Sequence, residues 1–98
     1  MTIRREQTGS DLLIQVEGRL DTTTAPQLEK ELENLEGVTA LVLELAALEY
    51  IASAGLRVLL TTQKRMNRQG TLTLRHVNET VMEVLEITGF SDILTIEP

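Results

Sequence analysis

One serine with only small neighbours is the position in this sequence best suited to chemistry. Ser53 follows Ala52 and precedes Ala54 and Gly55, where an apolar run gives way to a helical pattern. At the start of a helix its hydroxyl can accept a backbone N–H as an N-cap, which stabilises a helix by about 1 kcal/mol. The same hydroxyl is open to a kinase, and a phosphate there would meet free N–H groups and the positive end of the helix dipole. The residues therefore support two interpretations of Ser53, a helix cap and a phosphorylation site.

Gly55 occupies an unusual place for a glycine. It lies inside the expected first turn of the helix that follows Ser53. Glycine at such a position costs about 0.5–1 kcal/mol relative to alanine. The sequence therefore predicts that a bare backbone is required at Gly55.

The other side chains give little support for catalysis or metal binding. The chain has one histidine, His76, and no cysteine, so it lacks paired imidazole or thiolate ligands for a metal. It contains no glycine-rich phosphate loop and no Walker lysine, and no serine lies in the elbow sequence of a hydrolase. The acidic residues between Glu29 and Glu36 are spread around an amphipathic helix and are interpreted as solvated surface. We expect no enzymatic activity, no metal and no cofactor, and we expect His76 to be an exposed loop residue.

The composition predicts a single cytoplasmic domain over residues 1–98. The chain carries 9 basic and 15 acidic side chains, a formal net charge of −6, and its pI is about 4.7. Nucleic-acid binding is not expected, because it needs clustered positive charge. Membrane association is not expected either, since no apolar run reaches the roughly 20 residues that cross a bilayer and the N-terminus does not resemble a signal peptide. The expected partner is a protein or a small ligand.

Strand and helix patterns alternate along the chain around Ser53. Two short strands, residues 2–8 and 12–16, are separated by turn-forming residues and predict a hairpin. Thr24 and Gln27 form a capping-box pattern at the start of a first helix, which is predicted over residues 25–37. These elements place a loop between the hairpin and the first helix.

The rest of the chain continues the alternation. A nearly continuous apolar run over residues 38–45 predicts a central strand covered on both faces. The further elements are a connection over residues 46–52, a second helix that ends at Gly70, a strand over residues 71–75, a third helix capped by Asn78 and closed by Gly89, with Ile87 among its inward residues, and a last strand over residues 93–96. The order β-β-α-β-α-β-α-β predicts an α/β fold with a mixed, mostly parallel sheet, an antiparallel N-terminal hairpin strand and covering helices.

Two separated motifs resemble the STAS domain of bacterial anti-sigma factor antagonists. They are Ile51-Ala52-Ser53-Ala54-Gly55-Leu56 and, upstream, Gly18-Arg19-Leu20-Asp21 with Thr24-Ala25. The resemblance implies that the unphosphorylated protein binds a serine-kinase anti-sigma factor and so frees a sigma factor. It also implies that this kinase phosphorylates Ser53, which ends binding, and that a serine phosphatase of the PP2C type resets the protein.

The resemblance further implies a partner-binding surface. Asp21 matches an acidic residue in the loop before the first helix and is expected near Ser53, and Gly55 matches a glycine that keeps the helix start open. The outward face of the second helix contributes to docking in the family, with a solvated face as the alternative interpretation. The residues predicted to bind the partner are Asp21, Thr22, Thr24, Ala52, Ser53, Ala54, Gly55, Arg57, Thr61 and Lys64.

Two other functions stay open at this point. The family usually has an acidic residue or serine before the phosphorylated serine and often Ser or Thr after it, whereas this chain has Ala52 and Ala54. These alanines favour a STAS scaffold without phosphorylation, such as the small subunit that similar domains provide to the ATPase of a lipid transporter. A small-ligand or nucleotide sensor would use the cleft at the carboxyl ends of the parallel strands.

Overall fold

A computed structural model describes residues 1–97 and divides them into six strands, three α-helices and one short 3₁₀ helix. The elements are β1 (Thr2–Thr8), β2 (Asp11–Leu20), α1 (Ala25–Glu31), β3 (Ala40–Glu44), β4 (Leu48–Ile51), α2 (Ser53–Met66), β5 (Thr71–Arg75), α3 (Glu79–Ile87), the 3₁₀ helix (Phe90–Asp92) and β6 (Thr95–Glu97).

The strands form one mixed sheet in the order β1-β2-β3-β5-β6. β1 is antiparallel to β2, and their connection turns at Gly9, whose φ of 61° lies in the region that favours glycine. The pairs β2–β3, β3–β5 and β5–β6 are parallel. The predicted α/β fold, with its mostly parallel sheet and antiparallel N-terminal hairpin, is confirmed.

The sheet buries one face, which packs into the single core with the helices. Leu41, Leu43 and Leu45 are buried, while Val42 and Glu44, which alternate with them, stay half-buried. The prediction that this strand is covered on both faces is therefore wrong. Side chains alternate across a strand, so the apolar Val42 lies on the second, partly open face.

The strand β4 was missed by sequence reasoning, which treats residues 46–52 as a connection. β4 pairs in parallel with the far end of β2, beyond a register shift between Gly18 and Arg19. Its four residues do not alternate, since Leu48 and Ile51 are buried and the two between them are exposed. The period-2 signal of a strand is therefore absent from the sequence.

The helix α1 ends at Glu31, one and a half turns before the predicted end at Gly37. The apolar residues that suggested the longer helix, Leu32 and Leu35, are nevertheless buried. Two side chains of the α2 region hold this segment: Arg65 Nη1 donates to the Glu33 carbonyl at 2.6 Å, and Gln69 Nε2 donates at 2.6 Å to the carbonyls of Leu35 and Val38. These donors replace the helical N–H groups that a longer α1 would supply.

The last part of the chain follows the predicted order with shifted boundaries. Asn78 caps α3 as predicted, since its Oδ1 accepts from Val81 N–H at 2.9 Å. Ile87 was expected to face inward but is 80% exposed, because it is the last residue of the helix. The 3₁₀ helix occupies the approach to the final strand, which therefore begins at Thr95 and not at Ile93.

Gln69→Ala should lower the free energy of unfolding by about 1–3 kcal/mol, because it removes a partner from two part-buried carbonyls. Urea unfolding measures this change. Gln7→Ala is the matched control, since Gln7 makes one exposed bond of 3.3 Å to the Gly9 carbonyl. We expect the control to stay within about 0.5 kcal/mol of the wild type. Equal stabilities of the two variants would contradict the role given to Gln69.

Candidate functional site

The two segments predicted to form the site follow two neighbouring parallel strands of the sheet. β2 and β4 are parallel neighbours that pair Leu20 with Ile51 at their carboxyl ends. The Ala52 N–H donates to the Leu20 carbonyl at 2.8 Å, so the pairing continues one residue beyond β4. The loop after β2, which contains Asp21, and the start of α2, which contains Ser53, therefore begin at the same edge of the sheet.

Ser53 is the first residue of α2 and not its N-cap. The N-cap is Ala52, whose extended conformation (φ −105°, ψ 175°) continues β4 and whose carbonyl accepts the first helical bond from Leu56 N–H at 3.1 Å. No side chain caps this helix. The predicted capping role of Ser53 is wrong, because Ser53 is already part of the helix and the extended residue before it is Ala52. The Ser53 side chain is exposed.

Gly55 packs the first turn of α2 directly against the sheet. A Cβ atom at this position would lie 2.6 Å from Leu20 Cγ and 3.0 Å from Ile51 Cγ1. Both neighbours are 1% exposed and have no room to move. The expectation that something at Gly55 requires a bare backbone is confirmed, and the cause is this close approach.

The loop that holds Asp21 is closed by its own hydrogen bonds. Asp21 Oδ1 accepts from the N–H groups of Thr23 at 3.0 Å and Thr24 at 3.1 Å. The Thr24 hydroxyl accepts from Asp21 N–H at 2.9 Å and donates to the Arg19 carbonyl at 2.7 Å. Thr24 precedes α1 but gives it no side-chain cap, so the predicted capping box is wrong. The Thr24 hydroxyl instead makes its hydrogen bonds within the loop.

These bonds also set the charge state of Asp21. The donated N–H of Thr24 holds the pKa of the Asp21 carboxyl below its usual value, against an opposing effect of desolvation. The Thr23 N–H and the positive charge of Arg19 lower the pKa further. Asp21 is therefore a fixed negative charge beside the start of α2.

A hollow of about 160 Å³ joins the Asp21 loop to both helices. Thr22 lines it from the loop, Pro26 and Glu29 from α1, and Ala54 and Arg57 from α2. The structure thus brings together several residues that the sequence predicted for one surface.

The exposure of the predicted partner-binding residues differs from one residue to the next. Thr22, Ser53, Arg57, Thr61 and Lys64 are exposed, Asp21, Thr24, Ala52 and Ala54 are half-buried, and Gly55 is buried beneath them. The outward orientation of the α2 residues agrees with the helical spacing. That any of these residues contacts a partner stays a prediction.

Sequence reasoning did not assign Arg19 and Tyr50 to the site. They pair across β2 and β4, and the Arg19 guanidinium carbon lies 4.6 Å from the centre of the Tyr50 ring, in cation–π geometry. Tyr50 is 36% exposed, so an aromatic side chain lies close to the change from β4 to α2 at Ala52 and Ser53, the Ser53 junction. The sequence offered no signal for this pair, because β4 itself was not recognised.

His76 lies apart from this site. It is exposed, as predicted, and its Nδ1 is 2.6 Å from Glu44 Oε1, while Arg75 Nε donates to Glu44 Oε2 at 2.6 Å. Burial opposes ionisation of Glu44, but the bonds to Arg75 and His76 outweigh it and lower the pKa of the carboxyl. Within residues 1–97 no group of three or more His, Cys, Asp or Glu is placed to hold a metal ion. In the same part of the chain, no helix is long and apolar enough to cross a membrane.

The comparison with protein families decides the relationship that the two motifs suggested. The family model described as the STAS domain matches residues 2–98. The chain belongs to the STAS domain family. The elements that carry the Asp21 loop and the Ser53 junction are therefore parts of a STAS fold.

Similar proteins agree with this assignment. BtrV of Bordetella bronchiseptica, whose name describes an anti-sigma factor antagonist, is 36% identical over 99 residues that cover 98% of this STAS domain and 85% of BtrV. The anti-sigma-B factor antagonist of Bacillus subtilis is 32% identical over 93 residues, which cover 93% of this chain and 85% of that protein. The solved structure of the phosphorylated Bacillus cell fate determinant SpoIIAA has a TM-score of 0.76 at 18% identity and covers 99% of this chain and 92% of SpoIIAA.

Gly55→Ala should destabilise this STAS domain by about 1–3 kcal/mol, because the strain against Leu20 exceeds the gain of up to about 1 kcal/mol in helix propensity. Thermal unfolding measures the change. Thr61→Ala is the control, since Thr61 is exposed on the same helix and should gain or lose less than about 0.5 kcal/mol. A Gly55→Ala variant as stable as the control would show that the first turn of α2 can move away from the sheet.

The amide resonance of Thr24 should titrate with a midpoint below the usual aspartate pKa of about 3.9. The carboxylate accepts the Thr24 N–H, so the closed loop is fully stabilised above the unfolded-state pKa. That stabilisation is lost as the pH falls through the lowered pKa of the folded state. An NMR titration measures the midpoint, and Asp21→Asn should abolish it. A midpoint at or above the usual value would mean that the loop does not hold the carboxylate in this way.

Proposed function

We propose that this protein is an anti-sigma factor antagonist whose unphosphorylated form binds a serine-kinase anti-sigma factor in the cytoplasm and so releases a sigma factor. It acts as a regulatory binding protein and not as an enzyme. The names of BtrV and of the Bacillus subtilis relative support this assignment, since both describe anti-sigma factor antagonists and both matches cover most of each chain.

The observation that carries the proposal is the position of Ser53. Its side chain is exposed at the first residue of a 14-residue helix and makes no capping bond, so modification of the hydroxyl breaks no capping interaction. The N–H groups of the first turn lack helical partners and can donate hydrogen bonds to a phosphate. SpoIIAA, which shares this fold, has been solved both unphosphorylated and phosphorylated.

The surface around Ser53 supports an electrostatic mechanism. α2 contains Arg57, Lys64 and Arg65 and no acidic residue, so its exposed face matches an acidic partner surface. Phosphorylation of Ser53 adds a charge of about −1.5 to −2. The phosphate repels acidic groups of the partner and pairs with Arg57, which lies one turn along the same face. Binding ends while the fold is kept.

The enzymes of the proposed cycle are those that the resemblance to anti-sigma factor antagonists implies. The bound anti-sigma factor is itself the kinase that transfers phosphate to Ser53, and a serine phosphatase of the PP2C type removes it. Ala52 and Ala54 add little bulk beside the hydroxyl, which leaves room for both enzymes.

A second candidate function rests on the same two alanines. Ala52 and Ala54 depart from the residues that usually flank the phosphorylated serine in the family. A STAS domain without phosphorylation would instead act as a constitutively bound subunit of an ATPase or transporter complex. The two functions differ in whether Ser53 ever carries phosphate.

Phosphate should appear on Ser53 when the protein is incubated with ATP and a lysate of its source organism. Peptide mass spectrometry locates the phosphate, and Ser53→Ala should show none. Ser91→Ala is the matched control and should be modified like the wild type. Absence of phosphate on Ser53, in a lysate that phosphorylates other proteins, would favour the second candidate function, a constitutively bound subunit.

Ser53→Asp should weaken binding to the kinase that Ser53→Ala captures from the lysate by about tenfold or more, because it places a charge at the start of α2. Its thermal stability should stay close to that of the wild type. Ser53→Ala should bind and resist inactivation by ATP, while Ser10→Asp, which adds the same charge in the exposed hairpin turn, should bind normally. Isothermal titration calorimetry measures each affinity. Tight binding by a folded Ser53→Asp variant would refute the electrostatic mechanism.

A further inference from the structure

A groove runs between α1 and α2 and has a closed apolar floor. Its volume is about 330 Å³, and its floor is formed by Leu32 and Val58, which are 5% and 6% exposed. Glu29 of α1 and Glu33, two residues after the end of that helix, form the α1 side of the groove. Arg65 of α2 lines the other side. A groove with this floor can receive one apolar side chain of a partner.

This groove continues into the predicted partner surface. The hollow beside the Ser53 junction shares Glu29 and Val58 with it and is lined further by Thr22, Ala54 and Arg57. A partner that docks at Ser53 and along α2 therefore meets α1 as well. Sequence reasoning assigned α1 no part in binding and interpreted its acidic residues as solvated surface.

The two sides of the groove carry opposite charge. Glu29 and Glu33 are exposed, and the ion pairs found within residues 1–97 involve neither carboxylate. On the α2 side, Arg65 lines the groove and also donates to the Glu33 carbonyl at 2.6 Å. Arg57 lines the adjoining hollow, and α2 has no acidic residue. Carboxylates that stand beside an apolar groove without an internal partner are available to cations of another molecule.

We infer that Glu29 and Glu33 are specificity-determining contacts for the anti-sigma factor of the proposed function, on which this inference rests. The partner segment places an apolar side chain over Leu32 and Val58. It sets a lysine or arginine against the α1 side and acidic residues against α2. Opposite charges on the two sides fix the direction in which the segment lies, because the reversed orientation would bring like charges together.

The double variant E29Q/E33Q should bind the purified kinase about tenfold more weakly than the wild type, with a weaker dependence of affinity on salt. The kinase used is the one captured by Ser53→Ala and identified by its phosphorylation of Ser53. E79Q/E83Q is the matched control, since it removes two exposed carboxylates from α3 and leaves the same net charge. The control should bind like the wild type, and both variants should unfold at the wild-type temperature.

A cross-link locates the contact independently. The chain has no cysteine, so Glu33→Cys can carry a single photoreactive label. It should cross-link to the kinase, whereas the same label at Glu83→Cys should not. Equal binding by the two double variants, or no cross-link from Glu33→Cys, would overturn the role of α1 while leaving the proposed function in place. Failure of the wild type to bind any kinase would instead remove the proposed function and this inference with it.

Discussion

The close approach of Gly55 to Leu20 is the constraint on which the arrangement of the site depends. β2 and β4 end together, and the Ala52 N–H continues their pairing by one residue. A helix can start directly after such a strand only if its inner first turn carries no side chain, because the core below is already filled. Glycine meets this condition at a cost in helix propensity. In return, the Asp21 loop and the start of α2 share one edge of the sheet.

The charged residues of α2 at this edge of the sheet differ in sign from the net charge of the chain. The chain as a whole has a net charge of −6, yet α2 carries only basic charged residues. An acidic protein with one basic helix attracts an acidic partner surface to that helix and repels it elsewhere. Asp21 keeps its negative charge at the end of this basic surface because backbone N–H groups bind its carboxylate. The charge of this edge therefore changes sign over a short distance, which in the proposed function favours one orientation of the bound anti-sigma factor.

The sequence predicted the order and type of most elements, because alternating strands and capped helices leave clear local patterns. Asn78 shows this well, since its cap depends only on residues three positions apart. The predictions are wrong where contacts between residues distant in the sequence determine the local structure. α1 ends early because Arg65 and Gln69 supply donors to the segment after it. Ser53 is not the cap because that place is taken by Ala52, whose N–H bonds the Leu20 carbonyl. At the candidate site, the motif residues could be predicted from the sequence. The Arg19–Tyr50 pair and the α1 side of the groove could not, because they depend on contacts that local patterns do not encode.

The error about Ser53 bears directly on how a switch can work at this position. If its hydroxyl capped α2, phosphorylation would replace a bond worth about 1 kcal/mol and couple the signal to the stability of the helix. Because Ala52 starts the helix through its backbone alone, the Ser53 hydroxyl is exposed and the core contacts of Gly55 lie on the other side of the turn. In the proposed switch, stability and recognition therefore depend on different residues of one helical turn. Gly55 maintains the position of α2, and a change of charge at Ser53 alters only what the surface attracts.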